Sequence, residues 1–218
     1  MALTILLSGF GPFPGAPSNP TGALVQRLAR LRRPALADVR LEPHVFETSY
    51  RAVDRDLPRL LAELKPDAVL MFGLSTRAKC LWVETRARNA LSGFCDADGQ
   101  RASSACIVSG GPPALLFGVP ETRLALAARN ARIEAVPSRD AGRYLCNYLS
   151  WRVIEATAGP AGPSFAAFVH VPGLRQTAVR RGARGARRWR MRDLLRGGEA
   201  ILLAAAAETR RRRHMKDR

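Results

Sequence analysis

Short apolar runs and longer stretches of helical spacing alternate along the 218 residues of the chain. Leu3 to Ser8 predicts a buried strand, and Val39 to Phe46 a second. Ala68 to Phe72 is a continuous apolar run closed by Gly73, the pattern of a central strand covered on both faces. Leu81 to Arg88 alternates apolar and polar positions, which predicts one strand with a single face against the core. Ile133 to Val136 and Phe165 to Val169 complete the strands, the last leading into His170-Val171-Pro172. Helical stretches fall between them. Pro20 stands where a first turn accepts it, followed by Leu24, Leu28 and Leu31 on one face. Tyr50 to Leu64 presents Val53, Leu57, Leu60, Leu61 and Leu64 at helical spacing before Lys65-Pro66-Asp67 ends it. Thr122 to Ala131, about Gly142 to Ala158, and Met191 to about Arg213 predict three more helices, and the Gly/Ser/Pro-rich residues 92–113 predict a loop with short strands.

Strands separated by helices in this order predict an α/β protein, with helices in a three-layer α/β/α arrangement around a central, mostly parallel twisted sheet. No internal repeat and no Ser/Gly/Pro-rich linker divides the chain, so one domain over 1–218 is expected, with a basic tail over about 209–218. Hydrophobic residues make up 47% of the sequence, enough to bury a core that offsets the ordering entropy. In such sheets ligands bind beyond the carboxyl ends of the strands. Gly9 to Asn19, Gly73 to Thr76, the residues before Cys146, and His170 are therefore expected to meet in one cleft.

Charge alters this picture at one end only. The formal charge is +17, and Arg175 to Arg218 holds 15 Lys and Arg against 4 Asp and Glu. Arg210-Arg211-Arg212-Arg213 suits weak, non-specific contact with a polyanion through counterion release. No interleaved aromatics, zinc-finger spacing or helix-turn-helix signature accompanies it, and incidental charge is the plainer explanation. The apolar start, Met1 to Leu7, lacks a basic leader and runs into Ser8-Gly9-Phe10-Gly11-Pro12, which reads as a strand and turn rather than a signal peptide. No segment reaches the roughly 18 apolar residues of a membrane helix. A cytoplasmic protein with reduced thiols is expected, since Cys80, Cys95, Cys106 and Cys146 show no CxxC spacing. His44, His170 and His214 are too scattered for a metal site, and no metal or cofactor is expected.

The candidate chemistry is a thiol with an imidazole. Cys146 follows a short strand at the start of a predicted helix, where the positive end of the helix dipole favours a thiolate and free N–H groups can hold an oxyanion. His170, at the end of an apolar strand, can take a proton from that thiol and later pass it to a leaving amine. Glu84 is a carboxylate in the otherwise apolar Leu81-Trp82-Val83-Glu84, where an imidazole partner would relieve the cost of burial and fix the tautomer. Each residue also has a plain structural reading. A cysteine opening a helix suits a small core residue, and a strand-end histidine is commonly a hydrogen-bonded structural one.

Taken together these residues resemble a family. Ser138…Asp140-Ala141-Gly142…Tyr144-Leu145-Cys146-Asn147 is similar to the active-cysteine motif of pyroglutamyl peptidase I, also called pyrrolidone carboxyl peptidase, and Phe168-Val169-His170-Val171-Pro172 resembles its histidine motif. Ser8-Gly9-Phe10-Gly11-Pro12-Phe13…Asn19-Pro20-Thr21 resembles the family's opening loop. Lys65-Pro66-Asp67 with the strand into Gly73-Leu74, and Glu84…Ala87…Asn89, extend the likeness over nearly the whole chain. The resemblance implies removal of an N-terminal pyroglutamate from peptides through a thioester, without metal or cofactor, in a dimer or tetramer. It assigns Cys146 as nucleophile, His170 as base and acid, and Glu84 as the orienting carboxylate. Phe10 and Phe13 would wall the pocket for the flat lactam, with Tyr144 and Leu145 beside them; core packing is the plain alternative for the two phenylalanines.

The sequence departs from the family at Thr85 and Arg86, where a basic and an aliphatic residue are usual, and at Thr76, where a small residue is usual. Phe94, in Ser92-Gly93-Phe94-Cys95-Asp96, aligns with an arginine that assists the oxyanion site. Loss of such a donor costs on the order of 3 kcal/mol in the transition state. Two other readings therefore stand: a cysteine amidohydrolase of the same fold acting on another small N-acyl or lactam substrate, and a non-catalytic relative that binds polyanions.

Overall fold

The computed structural model describes residues 2–13, 15–118, 121–174 and 189–216. In chain order these form β1 (Leu3–Phe10), α1 (Thr21–Leu28), β2 (Val39–Phe46), α2 (Tyr50–Leu64), β3 (Ala68–Leu74), β4 (Leu81–Glu84), β5 (Arg86–Arg88), β6 (Ala114–Leu116), α3 (Glu121–Asn130), β7 (Ala135–Ser138), α4 (Leu145–Thr157), β8 (Phe165–Val171) and α5 (Met191–Lys216). Of the Arg-rich C-terminal segment, residues 175–188, 217 and 218 lie outside the described residues.

A six-stranded sheet ordered β2-β1-β3-β8-β4-β7 forms the centre. Its first four strands are mutually parallel, whereas β4 runs antiparallel to β8 and carries β7 parallel to itself. The strands β3 and β8 are buried almost residue for residue. That burial on both faces is the physical origin of their unbroken apolar sequences. Helices α1, α3 and α5 pack together on one side, and α2 and α4 on the other, giving three layers. The α/β expectation, with a mostly parallel sheet, matches this architecture.

Local chemistry sets the boundaries. Ser49 caps α2 by accepting from the Ala52 N–H at 3.2 Å, and Lys65 ends it in the left-handed region at φ 44°. The single strand expected over Leu81 to Arg88 is instead broken at Thr85. Its N–H donates to Ser138 O at the end of β7, while its carbonyl accepts from Phe117 N beyond β6, so the chain passes there from the main sheet to the β5–β6 ribbon. The strand expected from Ile133 begins later, because Ile133 N–H is spent on Ala128 O in closing α3, with Arg132 at φ 61°. His170, expected just beyond a strand, lies inside β8, which extends to Val171 by pairing with Gly73 and Leu74.

Candidate active site

The antiparallel register of β4 on β8 sets Trp82 opposite His170. Glu84, two residues further and on the same face, reaches diagonally to the imidazole: His170 Nδ1 lies 2.8 Å from Glu84 Oε1. Glu84 is fully buried and His170 is 5% exposed. The second carboxylate oxygen, Oε2, has no hydrogen-bond partner among the described residues. Nearly all of the carboxylate's compensation thus comes from one ring N–H. Burial alone pulls the His170 pKa down. The negative charge of the Cys146 sulfur, its hydrogen bond, and the hydrogen bond and charge of Glu84 outweigh that pull and raise it to about 9.

Cys146 is the second residue of α4. The preceding loop is built to deliver it there: Asp140 Oδ1 accepts from the Gly142 N–H at 3.1 Å, and Gly142 adopts φ +80°, which favours glycine. Tyr144 then opens the helix with no side-chain cap, and no acidic residue occupies the first turn. The dipole's positive end is thus left unneutralised beside the sulfur. Gly73, paired with His170 across β3 and β8, makes the close approach possible. A Cβ there would stand 2.7 Å from Cys146 Sγ and 2.5 Å from the Phe168 ring.

A cavity of about 520 Å³ opens over this pair and is lined by Phe10, Phe13, Tyr144, Leu145, Cys146 and His170 among others. Phe10 is anchored from both sides by Thr21, whose hydroxyl accepts from Phe10 N and donates to Phe10 O. The rings of Phe13 and Tyr144 lie 6.0 Å apart. The cleft expected from the loops after the strands therefore forms, and it gathers Phe10, Phe13, Tyr144, Leu145, Cys146 and His170, with Glu84 directly behind the imidazole. Such walls suit a small, flat, largely apolar acyl group, with a sulfur and a charged imidazole at one end.

Other residues contribute without having been singled out from sequence. Asn147 is fully buried, accepts from Arg88 N at 2.8 Å and donates to Arg88 O and Ala90 O, tying the start of α4 to β5. Asp96 accepts from the N–H groups of Tyr50, Asp98 and Gln100 and fixes the turn beside the cavity. Its signal is the Asp-x-Asp-Gly turn sequence, and that of Asn147 is its place directly after the cysteine. Arg77 lines the cavity too, as does Phe94, the residue already marked as a departure from the family pattern. Arg86 donates to Arg139 O, and Arg88 lies 3.6 Å from Asp140, a residue of the cavity lining. The four cysteines are free thiols. Among the described residues, no group of three or more His, Cys, Asp and Glu could hold a metal ion, and no helix is long and apolar enough to cross a membrane.

The family model for pyroglutamyl peptidase matches residues 3–208. The chain is 32% identical to a pyrrolidone-carboxylate peptidase of Thermococcus onnurineus over 178 residues, 81% of this chain and 87% of that one. It is also 32% identical to the pyrrolidone-carboxylate peptidase of Clavibacter michiganensis subsp. michiganensis, covering 81% of each. In three dimensions it superimposes on the pyrrolidone carboxyl peptidase of Thermococcus litoralis with a TM-score of 0.85 at 24% identity, covering 99% of this chain and 96% of that one. A match along this much of its length, resting on sequence and supported by the same fold, establishes that the chain belongs to the pyroglutamyl peptidase family.

Proposed function

We propose that this protein is a cysteine exopeptidase that removes an N-terminal pyroglutamyl residue from small peptides with a blocked N-terminus, through a thioester. The observation that carries the reading is the line of Glu84, His170 and Cys146 opening into an aromatic-walled cavity on a chain of this family. Phe10, Phe13, Tyr144 and Leu145 hold the lactam ring. The Cys146 sulfur attacks the carbonyl carbon of the pyroglutamyl group, and the uncapped N–H groups at the start of α4 receive the developing oxyanion. His170, which holds its proton up to about pH 9, gives it to the leaving amine as the C–N bond breaks. The neutral imidazole then takes a proton from water, whose oxygen attacks the thioester and releases pyroglutamate and the thiolate. Glu84 is a positioning residue: it accepts from Nδ1–H and so keeps Nε2 directed at the sulfur. No step requires a metal or cofactor.

Hydrolysis of pyroglutamyl 7-amido-4-methylcoumarin is the test. Turnover is expected, with its abolition by iodoacetamide and a loss of about a hundredfold or more in Cys146→Ser or His170→Ala. Full activity in either variant overturns the mechanism. A second reading, a cysteine amidohydrolase for a different small N-acyl or lactam group, is favoured by Phe94 standing where the family's arginine is expected. Turnover of another N-acyl amide with none of the pyroglutamyl one selects it. The free thiols suit the reducing cytoplasm. Self-association into dimers or tetramers completes the proposal, and sedimentation velocity reads it directly.

A further inference from the structure

Phe94 carries the highest exposure of any large apolar side chain among the described residues, 76%, and it lines the cavity that holds Cys146 and His170. Leaving such a ring in water forgoes burial that a core position would supply. The backbone around it is nevertheless held firmly. Tyr144 donates its hydroxyl to Cys95 O at 2.9 Å, and Ala97 N donates to Thr48 O at 2.9 Å. Buried Asp96 gathers three backbone N–H groups, including Tyr50 N at the start of α2. The ring is thus presented on a fixed turn rather than a loose one.

The cavity lining runs from buried to exposed side chains. Its inner wall is the buried set of Phe10 and Leu145 with the partly covered Phe13 and Tyr144. Phe94, Thr76 and Arg77 are exposed members of the same lining, and a peptide must leave the reacting carbon toward solvent. Phe94 is the one exposed aromatic residue of that lining among the described residues.

We propose that Phe94 seats the side chain of the residue that follows the pyroglutamyl group, so that the enzyme favours peptides with an aromatic or large aliphatic residue at the second position. This rests on the function proposed above. An aromatic side chain laid on the ring removes apolar surface of both partners from water, and ring pairs add an offset or edge-on attraction. Alanine at that position covers almost none of it. The discrimination is about tenfold in kcat/KM, the size set by one well-covered apolar contact.

The test compares the amides pyroglutamyl-Phe-NH2 and pyroglutamyl-Ala-NH2 on the wild type, Phe94→Ala and Phe94→Tyr. The wild type is expected to favour the Phe amide about tenfold, Phe94→Ala to bring the ratio to within about twofold, and Phe94→Tyr to keep it. A wild-type ratio near one, or a ratio that Phe94→Ala leaves unchanged, overturns the proposal. Should neither amide be hydrolysed while another N-acyl amide is, the pyroglutamyl reading falls. The Phe and Ala leaving groups on that acyl group then sustain the Phe94 subsite by the same ratio change or reject it by its absence.

Discussion

Glu84 and His170 hold each other in a place where neither would be stable alone. The carboxylate is fully buried with one oxygen unpartnered among the described residues, and the imidazole stays charged up to about pH 9 despite burial. A histidine whose folded pKa lies above its unfolded value of 6.5 adds stability that is complete below pH 6.5 and is lost as pH rises through about 9. Thermal unfolding should therefore show a melting temperature that falls between pH 7 and pH 10. Activity should fall over the same alkaline limb, since His170 must be charged to protonate the leaving amine. Glu84→Gln removes one hydrogen bond and one charge that raise this pKa, so the limb should move to lower pH. An amide can also turn its NH2 toward Nδ1 and favour the wrong tautomer, so kcat/KM should drop about tenfold or more. A pH profile of the variant superimposable on that of the wild type would remove Glu84 from the positioning role. A residue that merely packed would leave the limb where it was.

At the scale of elements, α4 and β3 meet through Gly73, and this contact makes a definite demand. A methyl group there would press on the Phe168 ring at 2.5 Å and on Cys146 Sγ at 2.7 Å. Phe168 is fully buried and has little room to yield, so the strain falls partly on the sulfur. Gly73→Ala is expected to lower kcat/KM at least about tenfold and to slow alkylation of Cys146 by iodoacetamide, with a stability loss of about 1–3 kcal/mol in urea titration. Unchanged alkylation and turnover would mean that the sulfur's position does not depend on this approach. Gly73 was legible in sequence as the end of an apolar strand, but its role as a seat for the sulfur was not. The difference is general to this fold. The helix around Tyr50 to Leu64 could be read because its apolar face and its stop signal Lys65-Pro66-Asp67 are local. The pairing of Glu84 with His170 joins residues 86 apart through an antiparallel register, and no local pattern specifies that register. The break at Thr85 was likewise hidden, because alternation of apolar and polar residues continues straight across the point where the chain changes sheets. The motifs around Cys146 and His170 gave the chemical parts, and long-range pairing supplied their arrangement.

At the scale of the whole molecule, a charge of +17 concentrated toward the C-terminus suggests a polyanion-binding tail, but the structure commits three of the tail arginines to partners within the protein. Arg210 pairs with Asp38 and donates to Ala35 O; Arg211 and Arg212 both pair with Glu208, and Arg212 also donates to Ser164 O and Gly118 O. Glu208 is buried, and its carboxyl is held below the usual range by these hydrogen bonds, first that of Arg211, against the opposing effect of burial. A carboxyl with a depressed folded pKa contributes stability that is present above 4.5 and is lost as pH falls through its folded value. These arginines therefore act first as fastenings between the end of α5 and the loops beneath it. Replacing Arg211 and Arg212 together by Gln leaves Glu208 with a weaker set of partners, among them Arg123 at 3.5 Å. The double variant is expected to lose about 1–3 kcal/mol in urea titration at pH 7, with the difference from wild type shrinking as pH drops below 4. Its retardation of a labelled oligonucleotide at low salt should change little, and binding by either protein should fade steeply toward 200 mM salt, as expected of non-specific counterion release. If the double variant instead kept its stability and lost oligonucleotide binding, the cluster would be a polyanion site held in reserve rather than a clasp. The mutual pairing of Arg211 and Arg212 on one buried carboxylate argues for the clasp, because a guanidinium committed to two protein oxygens must give them up before it can take a phosphate.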